Sequence, residues 1–150
     1  MKNIELVNAV QSSNGAILAL ENKSLTIAHA YKAIKLRNVL KKAWEKFLAD
    51  EQGLLVEVGI TDAQAFDARQ KELGEKDKRN KEEEAELKDM NEKVARYAGL
   101  REALLDDEVD LSEVKTMPYE EWFKLKNDNP AISIDLEDAL MGIAWSEPTE

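Results

Sequence analysis

Gly74-Glu75-Lys76-Asp77-Lys78-Arg79-Asn80 carries no apolar side chain, and it sits within residues 71–93, where nine acidic and seven basic residues crowd together. A buried helix cannot run through such a stretch, because a buried charge must be paired or else pushed back into water. Two antiparallel helices joined by a turn around 74–82 resolve the problem, with Gly74 suited to end the first of them. One long exposed helix held by i,i+4 charge pairs is the alternative. The glycine favours the hairpin.

Downstream, Leu87, Met90, Val94, Tyr97 and Leu104 follow a 3-4-3-7 spacing. That is a coiled-coil-like seam, interrupted at Arg101 where the next apolar residue should fall. Two or three heptads suffice for a packed hairpin, a small bundle or an oligomer contact. Upstream, Thr61-Asp62-Ala63-Gln64 has the form of a capping box, with residues 61 and 64 satisfying end amides. Phe66 and Leu73 then lie two helical turns apart.

Residues 25–50 read as the best-marked helix, with Ser24 offered as its N-cap. Ile27, Ala30, Tyr31 and Ile34 share one side, whereas Leu36, Leu40, Ala43, Trp44 and Phe47 share roughly the opposite one at 100° per residue. Such a helix is expected to bury different faces at its two ends. Gln52-Gly53 should stop it, leaving Leu54–Val58 as a short strand or an extended link closed by Gly59. Before it, Ile4, Val7, Val10, Ile17, Leu18 and Leu20 predict a helix over 4–20 with a weak point at Ser12-Ser13-Asn14-Gly15.

The chain changes character near residue 105. Residues 102–150 hold fourteen Asp/Glu against three Lys/Arg, while residues 1–101 hold seventeen against eighteen. The formal charge of −10 is thus a strongly acidic end on a nearly neutral body. All three prolines fall in this end. Residues 108–116 read as extended, Pro118 opens a helix over 119–126, and Asp135 with Asp138 favours the start of a last helix through 136–145. Residues 146–150 should fray. The expectation is a mainly α fold: a helical body over 1–105, a small bundle with its hairpin, and an acidic helical module over 106–150.

The chemistry-bearing residue types are sparse. No cysteine is present, so disulfides, thiolate nucleophiles and cysteine zinc sites are excluded. His29 is the single histidine, flanked by alanines on a helix, and a packing or surface role is the commoner one for such a residue. No Walker A loop, dinucleotide glycine pattern or nucleophile elbow occurs. Asp106, Asp107, Glu108 and Asp110 bring oxygen ligands together, but without the EF-hand order they read as a solvated acidic loop. The expectation is no enzyme, no metal and no cofactor. No apolar run approaches a membrane span, and the first residues lack a signal peptide's apolar stretch. A soluble chain that resides inside a cell is the expectation.

Two patterns point to partners. Lys32, Lys35, Lys42 and Lys46 line one side of the second helix, a stripe that reads as a solvated face, a phosphate contact or a dock for the acidic end. A pI near 4.7 and the lack of aromatic side chains for base stacking argue against nucleic acid. Trp122, Phe123, Leu140 and Trp145 place large apolar groups among acids, with Asp106, Asp107 and Glu108 ahead of them. They read either as a small local core or as interface anchors, rings supplying buried area while charge steers encounter. Helices this short hold little alone, which tilts the reading towards docking.

Asn8-Ala9-Val10, Ala28-His29-Ala30-Tyr31-Lys32-Ala33-Ile34-Lys35, Phe66-Asp67-Ala68-Arg69-Gln70-Lys71-Glu72-Leu73-Gly74-Glu75-Lys76-Asp77 and Glu108-Val109-Asp110-Leu111 follow one another in the chain. In this order of features, over roughly residues 4–117, it resembles a loosely defined group of small helical proteins of tailed bacteriophages. The resemblance implies a phage-encoded accessory or virion-assembly protein without enzymatic activity. The residues themselves point to protein partners, a second copy among them. A nucleic-acid mimic that inhibits a host defence protein is the alternative, and nucleic-acid binding by the lysine stripe is a weaker third.

Overall fold

Asn14 and Gly15 both adopt left-handed backbone, at φ 52° and 82°, and this ends the first helix, α1 (Asn3–Ser12). The Gly15 amide reaches back to the Val10 carbonyl at 2.9 Å and the Asn14 amide to Gln11, closing the helix end. The single helix expected over 4–20 is therefore two pieces, α1 and a 3₁₀ turn at Ala16–Ala19. The computed structural model describes residues 1–149, which are mainly α-helical.

The second helix, α2 (Ile27–Glu57), runs straight through Gly53. The expected stop, and the extended segment at 54–58, are not there. An interior glycine costs about 1 kcal/mol, and the half-burial of Leu54 and Leu55 on a 31-residue helix outweighs it. The true stop is Gly59 at φ 84°. Its amide donates to Val56 O at 3.0 Å and that of Ile60 to Leu55 O at 2.8 Å. These are the two bonds of a Schellman cap, and they need a residue that tolerates positive φ. At the other end α2 begins beyond Ser24, the first helical bond running from Ala30 N to Thr26 O.

The charged stretch is a turn between α3 (Ala63–Glu75) and α4 (Lys81–Asp106). Asp62, one residue after the expected Thr61, caps α3 by accepting from Ala65 N at 3.0 Å. Gly74 is inside α3 and does not cap it. The Arg79 guanidinium does that work, donating to Leu73 O and Lys76 O at 3.1 and 3.3 Å. Asn80 and Glu83 then form a reciprocal capping box for α4. The two helices are antiparallel: Arg69 grips Glu86 with two 2.8 Å bonds, and Gln70 meets Asn91.

Contacts divide the chain into two compact units: Met1–Phe47 with everything from Asp106 onward, and Leu48–Leu105. This differs from the expected division at 105/106. In the first unit nineteen buried residues form one core, and ten of them come from beyond residue 106. The acidic end is thus no separate module; it supplies half the core of the N-terminal helices. Residues 107–116 do form an irregular extended stretch, with Asn3 N bonded to Asp107 O and Val109 N to Met1 O.

Beyond it, β1 (Met117–Pro118) pairs in parallel with β2 (Trp145–Ser146). Ser146 is therefore held by this pairing, against the expected fraying, while Glu150 lies outside the described residues. Between the strands lie α5 (Tyr119–Asp128) and a short α6 (Ile134–Ala139) capped by Ser133. The last helix starts earlier and ends sooner than 136–145, because Gly142 at φ 77° turns the chain back.

In the second unit Val58, Ile60, Leu73, Met90 and Leu104 are the buried apolar residues. That core is thin, and ion pairs accompany it.

The two glycines of α2 make opposite predictions. Gly53→Ala should raise stability by up to about 1 kcal/mol, since it relieves a helix-interior glycine with open space around it. Gly59→Ala should lower it by roughly 1–2 kcal/mol, since φ 84° is forbidding to a Cβ. Urea unfolding of the two variants beside the wild type checks both signs.

Candidate functional site

The polar link 21–26, ahead of α2, is seated on the end of α5. Asn129, 8 % exposed, offers Oδ1 to the Glu21 amide and Nδ2 to the Glu21 carbonyl, both at 2.7 Å. Its Nδ2 also donates to Leu125 O at 2.8 Å. Asp128 accepts from the amide and hydroxyl of Ser24, so Ser24 is a ligand of α5 and not the cap of α2. Glu121 faces the Thr26 amide at 3.4 Å and holds Lys124 at 2.7 Å. Two acids of α5 thus meet the start of α2, where the free amides favour negative charge.

The residues expected to anchor a partner separate into two groups. Trp122 and Leu140 are completely buried and Trp145 nearly so. They form the core and are not available to a partner. Trp145 stacks on Trp122 with ring centres 6.4 Å apart and donates to Glu137 O, whereas Trp122 Nε1 has no acceptor among the described residues. Phe123 is the exception, 48 % exposed. Its ring lies 6.2 Å from Tyr119, which in turn lies 5.2 Å from Trp145, and Met141 pairs beside Trp145 and is half exposed. Phe123 and Tyr119 form an apolar face on a well-packed base, with the half-exposed Met141 bridged by its backbone to Trp145. Glu120 and Asp138, each three residues from one of these side chains, are unpaired among the described residues. The nearby lysines are occupied: Lys124 by Glu121 and Lys126 by Glu137 at 2.5 Å.

The acidic run ahead of this face stays exposed but is tied to the start of the chain. Asp106 pairs with Lys2 at 2.5 Å, Glu108 accepts from the Met1 amino group, and the Asp107 backbone bonds Asn3. Among the described residues no three His, Asp or Glu side chains gather as a metal ion would require. No described helix is long and apolar enough to cross a membrane.

Of the lysine stripe, Lys32 donates to Thr116 O at 3.0 Å, and Lys42 lies near Asp110. The stripe therefore receives the extended stretch that leads into β1, not the acids after it. Lys35 sits 5.7 Å over the Tyr31 ring, and Lys46 is exposed. Only the Leu36 side of α2 is buried, through Ala33, Leu36, Val39 and Leu40. The other side, expected to pack as well, is open: Ile27 is 92 % exposed, Tyr31 59 % and Ile34 37 %. At spacings of 4 and 3 these make a second apolar face, flanked by Lys35 and Lys42 on one side and Arg37 and Lys41 on the other. Sequence periodicity marked this face but could not tell a covered side from an open one.

The seam residues of α4 differ in burial: Met90 and Leu104 are buried, Leu87 and Tyr97 half-buried, and Val94 exposed. Arg101 interrupts the seam because it is an ion-pair residue, bonded to Glu51 at 2.6 Å. Arg96 pairs similarly with Glu57.

His29 is half-buried on α2, and its Nδ1 has no hydrogen-bond partner among the described residues. No family model matches the chain, and neither a curated protein nor a solved structure does.

Lys124, aided by the Thr26 amide, holds the Glu121 carboxyl below its ordinary value near 4.5. A lowered carboxyl contributes stability above that ordinary value and loses it as the pH falls through the lowered one. Stability should therefore decline as the pH drops below about 4.5, and Glu121→Gln should make that decline shallower. Urea midpoints measured across the acid range test this; an unchanged slope in the variant would show that Glu121 plays no part.

Proposed function

We propose that the protein is a structural or assembly protein, of the kind tailed bacteriophages encode, working through protein–protein contacts and not by catalysis. One observation carries the reading: the face of Phe123 and Tyr119, built on the Trp122–Trp145 core, with the unpaired Glu120 one helical turn from Phe123 and the unpaired Asp138 on α6. An exposed ring on a pre-ordered base loses little entropy on binding, so it is well placed to act as an anchor. Unpaired acids at its edge steer a basic or mixed partner. The charged flanks of the α3–α4 hairpin supply a second surface for contacts.

Fewer observations support the alternative, an acidic mimic of nucleic acid that inhibits a host protein. Mimicry requires free carboxylates in ordered rows, and here Asp106, Glu121 and Glu137 are each engaged by a lysine. Binding of nucleic acid along the lysine stripe is weakened by the engagement of Lys32 with Thr116.

Tagged wild-type chain and Phe123→Ser, expressed in the producing cells and purified side by side, test the proposal. At least one protein should co-purify in stoichiometric amount with the wild type and drop about tenfold or more with the variant, as expected for loss of an anchor. Identical sets of bound proteins for both would remove the Phe123 face from the account. Release of the partner by added DNA would favour mimicry instead.

A further inference from the structure

The two apolar faces of the first unit carry opposite charge. The α2 face, Ile27, Tyr31 and Ile34, is flanked on its own helix by Lys35, Arg37, Lys41 and Lys42, while at its first turn Glu121 and Asp128 are held by the Thr26 and Ser24 amides. The Phe123 face is edged by Glu120 and Asp138, and its lysines are already paired. Both faces are exposed in the single chain, so one chain does not cover one with the other. We propose that the α2 face of one copy receives the Phe123 face of a second copy, in a head-to-tail contact. This rests on the reading above, that Phe123 anchors a protein partner, and names that partner as the chain itself.

The geometry of charge selects this arrangement over the symmetric ones. Two α2 faces brought together would set Lys35, Arg37, Lys41 and Lys42 against the same cations, and two Phe123 faces would set acid against acid. The mixed contact brings cation to acid on the rim and ring to aliphatic side chain at the centre. Tyr31 and Phe123 are the largest exposed side chains of their faces, and Ile27 lies one helical turn from Tyr31. A contact of unlike faces leaves one of each unused at every step, so it propagates into a ring or a filament. That is the behaviour of an assembly subunit.

Sedimentation velocity on the full chain at low salt tests it, with Tyr31→Glu and Phe123→Ser as probes. The wild type should sediment as species larger than one chain, dissociating as salt is raised. Each substitution alone should weaken association at least about tenfold. An equimolar mixture of the two variants should form a 1:1 pair and stop there, because each retains the face the other lacks. Tyr31 is exposed, so Tyr31→Glu should unfold thermally as the wild type does, while Phe123→Ser, which gives up the ring contact with Tyr119, should unfold cooperatively at a slightly lower temperature; Ile27→Glu repeats the test of the α2 face. A wild type that stays monomeric, a mixture that does not pair, or loss of association from only one substitution would overturn the proposal. If the wild type is monomeric yet Phe123→Ser still loses a co-purifying protein, only the self-partner fails. If neither is seen, the anchor itself fails.

Discussion

Trp122 is the side chain on which the first unit turns. It is fully buried, stacked on Trp145, and it shares one core with residues of α1, the 3₁₀ turn and α2. A ring of this size buries more apolar area than any other residue type, and removing it costs about 3–5 kcal/mol in well-packed cores. Around it the polar seams follow. Asn129 clamps Glu21, Asp128 holds Ser24, and Glu121 meets Thr26. Each of these joins a residue of α5 or its end to the link ahead of α2, more than ninety residues earlier in the chain. Strongly acidic residues 106–149 thereby become a wall of the core, their charges displayed outward or paired with Lys2, Lys124 and Lys126.

That arrangement accounts for the surface chemistry. With Trp122, Trp145 and Leu140 turned inward, Phe123 is left outside on a packed base, next to acids whose neighbouring lysines are already used. On α2 the inward face is fixed by Leu36 and Leu40, which leaves Ile27, Tyr31 and Ile34 outside among cations. The first unit thus shows two exposed apolar faces whose neighbouring charges are of opposite sign.

Much of the helical plan was legible in the residues, and the failures have physical causes. The turn at 76–80 could be read because a crowd of charges without apolar residues has no buried solution. Arg101 was visible as a break in the seam, and Glu51 is the reason for it. Gly53 does not stop α2, because its local propensity cost of about 1 kcal/mol is outweighed by the packing of Leu54 and Leu55. Ser24 looked like a cap, but its hydroxyl serves Asp128, a partner no local reading can supply. The same limit explains Trp122 and Trp145: acids nearby made them resemble anchors, while the surface that covers them lies at the far end of the chain. Periodicity gives a side; only the fold says which side is covered.

Native-state hydrogen exchange of the full chain tests the shared core most directly. If residues beyond 106 and residues before 47 form one cooperative unit, the amides of Val10 in α1, Leu40 in α2 and Leu125 in α5 should open with one common free energy. Exchange of Leu125 near the rate of an unprotected amide, with Val10 and Leu40 still protected, would contradict the account and return residues 106–149 to the status of a loosely attached tail.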